Sequence, residues 1–255
     1  MSMKTLLAPF RWLYVIYALL IFIAIMLVIL PFFVIFSWGG RFHGANRMMR
    51  LCMFWADCWM PLVFMRHKNY FETPHDPSRP TVFIANHIAY IDAVILVKTI
   101  RQHFRPLGRA ETAAIPIFGF IYRNAIVTVN RSDPKNRAES VSKLKELLQR
   151  GISIFVFPEG TFNMTSAPLK SFYDGAFKIA IETGTPIKPL LFLDGYKLMH
   201  YRHPFSLSPG FSRSVYLEEI SVEGYTLEDL PVLKQRVMDV MEKKLIEYQA
   251  PWINR

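Results

Sequence analysis

Between Trp12 and Phe36 the chain runs 25 residues without a charged side chain. A helix of that length reaches about 37 Å, more than the roughly 30 Å of a bilayer's hydrocarbon core. A secretory signal has a shorter apolar core followed by a small-residue cleavage site. Here the run ends in Ile-Phe-Ser-Trp-Gly-Gly, so the segment is expected to be retained. Pro31 removes one helical hydrogen bond and is expected to kink it. Gly39, Gly40 and Gly44 mark a turn. A second apolar stretch, Met48 to Met65, is interrupted by Arg50 and Asp57, which lie seven apart on one helical face. Either that face meets lipid headgroups while Trp55, Trp59 and Phe64 enter the interface, or the helix packs on the rest of the chain. Residues 1–75 thus read as a hydrophobic two-helix membrane arm.

The pattern changes after residues 71–80, a proline-rich loop that also carries Asp76. Short apolar runs now alternate with helical periodicity. Thr81–Ala85, Ile126–Val129, Ile152–Phe157 and Ile187–Leu193 read as strands. Ile91–Ile100 and Gly175–Thr183 read as helices, and Ser132-Asp-Pro opens another, with Val141, Leu144 and Leu148 at helical spacing. Ser214–Val222 is expected to add an edge strand, and Thr226–Tyr248 to close the chain as an amphipathic helix. Residues 76–255 therefore form an α/β body, with a largely parallel sheet flanked by helices.

Composition narrows the function. The chain has 255 residues, is 52% hydrophobic and carries a formal charge of +10. An apolar, basic chain suits an anionic membrane surface. Nucleic acid is the other partner of basic proteins, but no zinc spacing, basic repeat or base-stacking motif is present. Residues 1–70 hold +6 of the excess and residues 71–255 hold +4. Lys4 and Arg11 precede the first apolar segment, and Arg41, Arg47, Arg50, Arg66 and Lys68 follow it. If that segment spans, the positive-inside rule puts the C-terminal bulk in the cytoplasm. Cys52 and Cys58 make neither a disulfide framework nor a zinc motif. His200 and His203 stand three apart in a stretch that reads as loop, so they are expected to be surface histidines rather than metal ligands.

The chemistry starts at Asn86-His-Ile-Ala-Tyr-Ile-Asp92. Residues five apart point about 140° away from each other on a regular helix. His87 and Asp92 meet only if His87 lies in the turn after a strand and Asp92 one turn into the next helix. The aspartate then accepts from one ring nitrogen and the other faces the cleft as a base. The plainer alternative is a histidine capping a helix and an aspartate bonded to backbone. Further blocks end other strands. Phe157-Pro-Glu-Gly-Thr161 carries Glu159, a charge that is costly there unless partnered, and Gly160, which admits conformations or close approaches barred to other residues. Arg131 ends the Ile126 strand, and Thr185–Leu190 enters the last parallel one.

In this order and spacing the blocks resemble the glycerolipid acyltransferase family, the lysophosphatidate acyltransferases of membrane lipid synthesis. The resemblance covers roughly residues 80–195, and the apolar arm is similar to that of bacterial members. It implies that His87 is the general base and Asp92 its orienting partner. Acyl-CoA or acyl carrier protein would be the donor and a lysophospholipid, foremost lysophosphatidic acid, the acceptor. Neither cofactor nor metal is implied. The expected location is the cytoplasmic face of a bacterial inner membrane, among membrane lipids, with no nucleic acid. Backbone N–H groups of Glu159, Gly160 and Thr161 become candidates for holding the oxyanion. Arg131 becomes the first candidate for the acceptor phosphate. Two departures bear on the acceptor. The family commonly continues Phe-Pro-Glu-Gly-Thr-Arg-Ser, where this chain has Phe162 and Asn163. Its second block often reads Gly-x-Ile-Phe-Ile-Asp-Arg, where this chain has Ala125, Thr128 and Asn130 but keeps Arg131. Arg109, Lys170 or Lys188 are then candidates for the missing charge. Ile115–Gly119 resembles the family's segment beside the acceptor site. A different lysolipid acceptor, or an acylated amino-acid lipid, keeps the chemistry. A lipid-binding protein without turnover, or a metal-dependent hydrolase, would not.

Overall fold

The computed structural model describes residues 3–115, 118–203 and 205–253. Helix α1 (Met3–Ser37) runs through Pro31 without a break. A π-helical turn, Gly40–Gly44, then reverses the chain into α2 (Ala45–Leu62). The reversal needs glycine at both ends. Gly40 has φ +75°, and a Cβ on Gly44 would collide with the Phe36 carbonyl. The two helices lie antiparallel. Tyr14 and Tyr17 donate to the Val63 and Leu62 carbonyls, Trp59 donates to the Ala18 carbonyl, and Phe22 packs edge-on against Trp55 and Trp59.

The sheet has seven strands in the order β1 (Met65–Phe71), β7 (Gly210–Tyr216), β6 (Ile187–Phe192), β2 (Val82–Ala85), β5 (Ser153–Val156), β3 (Phe104–Arg109), β4 (Val127–Val129). From β6 to β4 all neighbours are parallel. β7 is antiparallel to β6, and β1 runs parallel to β7. β2, β5 and β6 are buried at every position, as strands covered on both faces must be. The crossovers are α3 (Asp92–Thr99), α4 (Phe118–Ala125), α5 (Pro134–Gln149) and α6 (Gly175–Thr183), with a one-turn helix α7 (Gly195–Leu198) after β6. Asp133 caps α5 by accepting from the Lys135 N–H, with Pro134 in the first turn. Helix α8 (Leu230–Glu247) closes the core with Leu233, Val237, Met241 and Leu245, all fully buried.

The α/β class and the four parallel strands read from sequence are present. Two expectations change, one strand is added, and the alternative left open for α2 is decided. β1, Met-Arg-His-Lys-Asn-Tyr-Phe, belongs to the sheet, so the body begins near residue 65 rather than 76. Its half-polar composition is that of a one-sided edge strand and reads poorly as part of an apolar arm. The expected edge at Ser214–Val222 is an interior strand that starts earlier, at Gly210; β1 shields it, and beyond Tyr216 only an isolated bridge from Ile220 to Ile187 continues the pairing. β3 escaped notice because Pro106 and Gly108 are poor strand residues. Finally, the polar face of α2 meets protein, not headgroups. Asp57 pairs with Lys98 at 2.6 Å and with Arg101 at 2.7 Å, Arg50 reaches His103 at 2.8 Å, and Trp55 and Trp59 are buried. Phe64 alone of the three expected interfacial aromatics is exposed.

Candidate active site

Parallel strands deliver their C-terminal ends to one side of the sheet, where open α/β sheets hold ligands. Four such ends meet. β2 leads into Asn86 and His87, β5 into the Phe157–Gly160 turn, β4 into Arg131, and β6 into Asp194 and Gly195.

His87 Nδ1 lies 2.9 Å from Asp92 Oδ2. Asp92 is the first residue of α3 rather than one turn inside it, because a tight turn bonds its N–H to the Ala89 carbonyl. The same Oδ2 accepts from the N–H groups of Ile88 and Ala89 at 2.7 and 2.9 Å. Asp92 thus does both things the sequence left open: it holds the imidazole, and it bonds backbone. Its side chain is fully buried, whereas 19% of His87 remains accessible. The imidazole stacks on Phe157 at 3.8 Å, 10° from parallel, and meets Phe162 edge-on at 4.4 Å. Tyr90 packs against the far side of Phe162. Nε2 has no hydrogen-bond partner among the described residues, which leaves it available to a substrate proton.

The loop carrying His87 is fixed from both sides. Asn86, fully inside, exchanges two hydrogen bonds with the backbone of Phe192 at 2.8 and 3.0 Å. The His87 N–H donates to Glu159 Oε1 at 2.9 Å, and the His87 carbonyl accepts from Asn163 N–H at 2.7 Å. Glu159 Oε2 accepts from the Lys170 N–H at 3.0 Å. Both oxygens of Glu159 are therefore spent on backbone, and the residue is 2% exposed. The carboxylate of Glu159 thus ties three loops together, while its N–H, the group expected at the oxyanion, takes no part in these bonds. Burial pushes its carboxyl up to about 7, against the pull of the two N–H donors.

Gly160 sits at φ +72°, and a Cβ there would lie 2.6 Å from an Arg131 guanidinium nitrogen and 2.7 Å from the Tyr173 ring. Conformation and close approach both call for glycine. Arg131 lies over Tyr173 at 5.7 Å and has no carboxylate partner among the described residues. Lys170 Nζ donates to Thr161 Oγ1 at 2.6 Å. Of the candidate oxyanion donors, Gly160 N–H is already taken by the Phe157 carbonyl, while Glu159 N–H and Thr161 N–H meet no acceptor among the described residues. Arg109 ends β3 beside β4 and pairs loosely with Glu111 at 3.5 Å, both exposed. Lys188 is a correction: it is fully buried in β6, donates to Thr73 Oγ1 and the Pro74 carbonyl, and burial lowers its pKa. It buttresses the loop before β2. Within Ile115–Gly119, Pro116 and Ile117 lie outside the described residues. His200 and His203 stand in a loop with rings 6.0 Å apart, and His200 Nε2 meets the Tyr196 hydroxyl.

Asn86, Phe157 and Asn163 build the site, yet sequence reasoning gave them no role. An asparagine beside a strand end carries no periodic signal, and its reach across to β6 exists only in the fold.

An aromatic-walled imidazole oriented by a buried carboxylate, open at one nitrogen and bordered by Arg131 and Lys170, suits proton abstraction from a hydroxyl near an anion. A family model described as Acyltransferase matches residues 52–193. A 1-acyl-sn-glycerol-3-phosphate acyltransferase of Haemophilus influenzae is 29% identical over 198 residues, 76% of this chain and 80% of that protein. The chloroplastic 1-acyl-sn-glycerol-3-phosphate acyltransferase LPAT1 of Arabidopsis thaliana is 27% identical over 69% of this chain. This chain spans about half the length of the plant relatives it matches. In fold it is similar to the crystal structure of the 1-acyl-sn-glycerophosphate acyltransferase PlsC from Thermotoga maritima, with a TM-score of 0.72 and 22% identity over 95% of this chain and 99% of that one.

Proposed function

This chain belongs to the acyltransferase family, and on that premise we propose that it moves a fatty acyl group from an acyl thioester, acyl-CoA or acyl carrier protein, to the free hydroxyl of lysophosphatidic acid. The observation that carries this reading is the His87–Asp92 contact of 2.9 Å with the second ring nitrogen open. His87 Nε2 takes the proton of the acceptor hydroxyl, and the oxygen attacks the thioester carbonyl. Asp92 stabilises the imidazolium that forms. The tetrahedral oxyanion is met by backbone N–H, with Glu159 and Thr161 the donors left uncommitted. Collapse breaks the C–S bond, and the departing thiolate takes the proton from the imidazolium. Phe157 and Phe162 keep water from the ring, which favours the lipid alcohol as nucleophile over hydrolysis.

Arg131 and Lys170 hold the acceptor phosphate. Guanidinium suits phosphate in two-point contact, and Arg131 has no internal carboxylate to compete. The acceptor and product are bilayer lipids, and α1 supplies the attachment. Residues Phe10–Ser37 are long and apolar enough to cross a membrane, and only 11% of an 18-residue stretch within them is buried. The distribution of Lys and Arg around α1 supports attachment at a cytoplasmic face, and the Haemophilus influenzae relative supports a bacterial membrane.

Phe162 favours keeping a second acceptor in play. An apolar ring stands where a cation would help a phosphate, so another lysolipid is the alternative. A panel of acceptors offered with one labelled acyl thioester decides between them. Lysophosphatidic acid is expected to lead, and its failure to lead would overturn the acceptor assignment. In the same assay Arg131→Ala is expected to raise KM for lysophosphatidic acid by roughly 10- to 100-fold, the loss of one charge-assisted hydrogen bond, with kcat changed much less. An unchanged KM would remove Arg131 from the phosphate site.

A further inference from the structure

The carboxylate of Asp92 uses one oxygen three times and the other not at all. Oδ2 accepts from His87 Nδ1 and from the N–H groups of Ile88 and Ala89. Oδ1 is buried and meets no donor among the described residues. What faces it instead is the backbone of Gly195, the first residue of α7. A Cβ at Gly195 would overlap Oδ1 and would stand 3.3 Å from Ile88 Cγ2. The φ of Gly195 lies outside the left-handed region, so space rather than conformation calls for glycine here.

Neither wall of this contact can retreat. On the Gly195 side, Asp194 is clamped to β7: its carboxylate takes Arg213 N–H and two guanidinium nitrogens at 2.8 to 2.9 Å. Leu193 N–H donates to the Arg213 carbonyl, and the Gly195 carbonyl accepts from Met199. On the Asp92 side, the Asn86–Phe192 exchange bolts the end of β2 to the end of β6, two residues before Asp194. The movable atom between these two fixed backbones is the carboxylate oxygen itself.

We infer that Gly195 is a positioning residue for the dyad: its missing side chain leaves the Asp92 carboxylate the one seat from which it reaches His87. The inference rests on reading His87 and Asp92 as the catalytic pair. Any side chain at 195 turns or pushes the carboxylate, and the imidazole loses its orientation although residue 195 touches neither substrate nor His87. The specificity of the effect is what separates it from general damage, because a displaced carboxylate harms the chemical step and leaves both substrate sites intact.

The test is a cycle of Gly195→Ala, Asp92→Ala and the double variant, with Gly175→Ala as control. A Cβ at Gly175 meets nothing, so that variant keeps wild-type kcat. Gly195→Ala is expected to lose roughly a hundredfold in kcat, the scale of a small misplacement in a catalytic group, with both KM values held. In the double variant the carboxylate is gone, so Gly195→Ala adds no further loss and the melting temperature equals that of Asp92→Ala. If Gly195→Ala fails to fold while the double variant melts with Asp92→Ala, the overlap is likewise located at Asp92. Wild-type kcat in Gly195→Ala, or an undiminished penalty from it in the Asp92→Ala background, overturns the inference. Wild-type kcat in Asp92→Ala overturns the dyad reading instead.

Discussion

Replacing His87 with alanine is expected to lower acyl transfer by roughly a hundred- to ten-thousandfold, the usual worth of a general base. The loss falls on kcat, because the ring touches the reacting proton and its removal leaves Arg131, Lys170 and the Glu159 bridge in place. Glu159 bonds the backbone N–H of residue 87, not the imidazole, so the loop keeps its anchor in the variant. The variant is therefore expected to fold and to bind phospholipid vesicles like the wild type. The measurement is a single-turnover assay with labelled acyl thioester, alongside vesicle flotation. Comparable rates in the two proteins would remove His87 from the mechanism and, with it, the account of Asp92. They would also restore the reading of this chain as a lipid binder without turnover.

The second large effect concerns Glu159 and is a matter of stability as well as rate. Burial raises its carboxyl from 4.5 to about 7 in the fold. Between those values the folded chain holds a proton that the unfolded chain has released. Stability from this group is therefore full below about pH 4.5 and is lost as pH rises through about 7, and the gap amounts to about 3 kcal/mol. Glu159→Gln cannot titrate, so this part of the pH slope disappears. Its amide also turns a donor toward one of the two N–H groups that the carboxylate served, leaving that group unmet at a cost of about 1–3 kcal/mol. Because the orphaned partner is the backbone of His87 or Lys170, kcat is expected to fall by about a hundredfold as well. Denaturant midpoints at pH 5 and pH 8, wild type against variant, read the slope. The comparison is necessary because His67, pushed down to about 4 by burial, with the Lys98 and Arg101 cations adding to it, changes stability in the opposite direction below neutrality. Equal slopes in the two proteins would show that Glu159 does not titrate in this range.

The parallel core was legible because β2, β5 and β6 are largely apolar and the loops between them carry strong turn and cap signals. Asp133-Pro134 opened α5 as read, and Leu144 and Leu148 face the core. The His87–Asp92 contact was legible because the spacing allows it across a strand-to-helix turn and the resemblance of the later blocks favoured it over a capping histidine. What was illegible shares one property: its meaning lies in a partner distant in sequence. Asp57 reads as a polar face until Lys98 and Arg101 arrive 41 and 44 residues later. Lys188 reads as a cation until its strand is sandwiched. Glu159 sits among residues that resemble a ligand site, and only the fold reveals that its two oxygens face inward. Gly195 carries no signal at all, since its neighbour across the contact, Asp92, precedes it by 103 positions.

The embedding of α2 has a practical corollary. The hydrophobic hairpin is not a detachable anchor on a water-soluble catalyst. Trp55, Trp59, Met48 and Met60 belong to the interior that α2 completes, and Arg105 donates back to the Phe42 carbonyl and Asn46 from inside it. A shortened protein starting at residue 65 would open that interior to solvent and is expected to precipitate. The same rigidity couples depth to reach: because the hairpin is welded to the sheet, the proposed attachment through α1 would set the height of His87 above the lipid by the depth to which α1 enters.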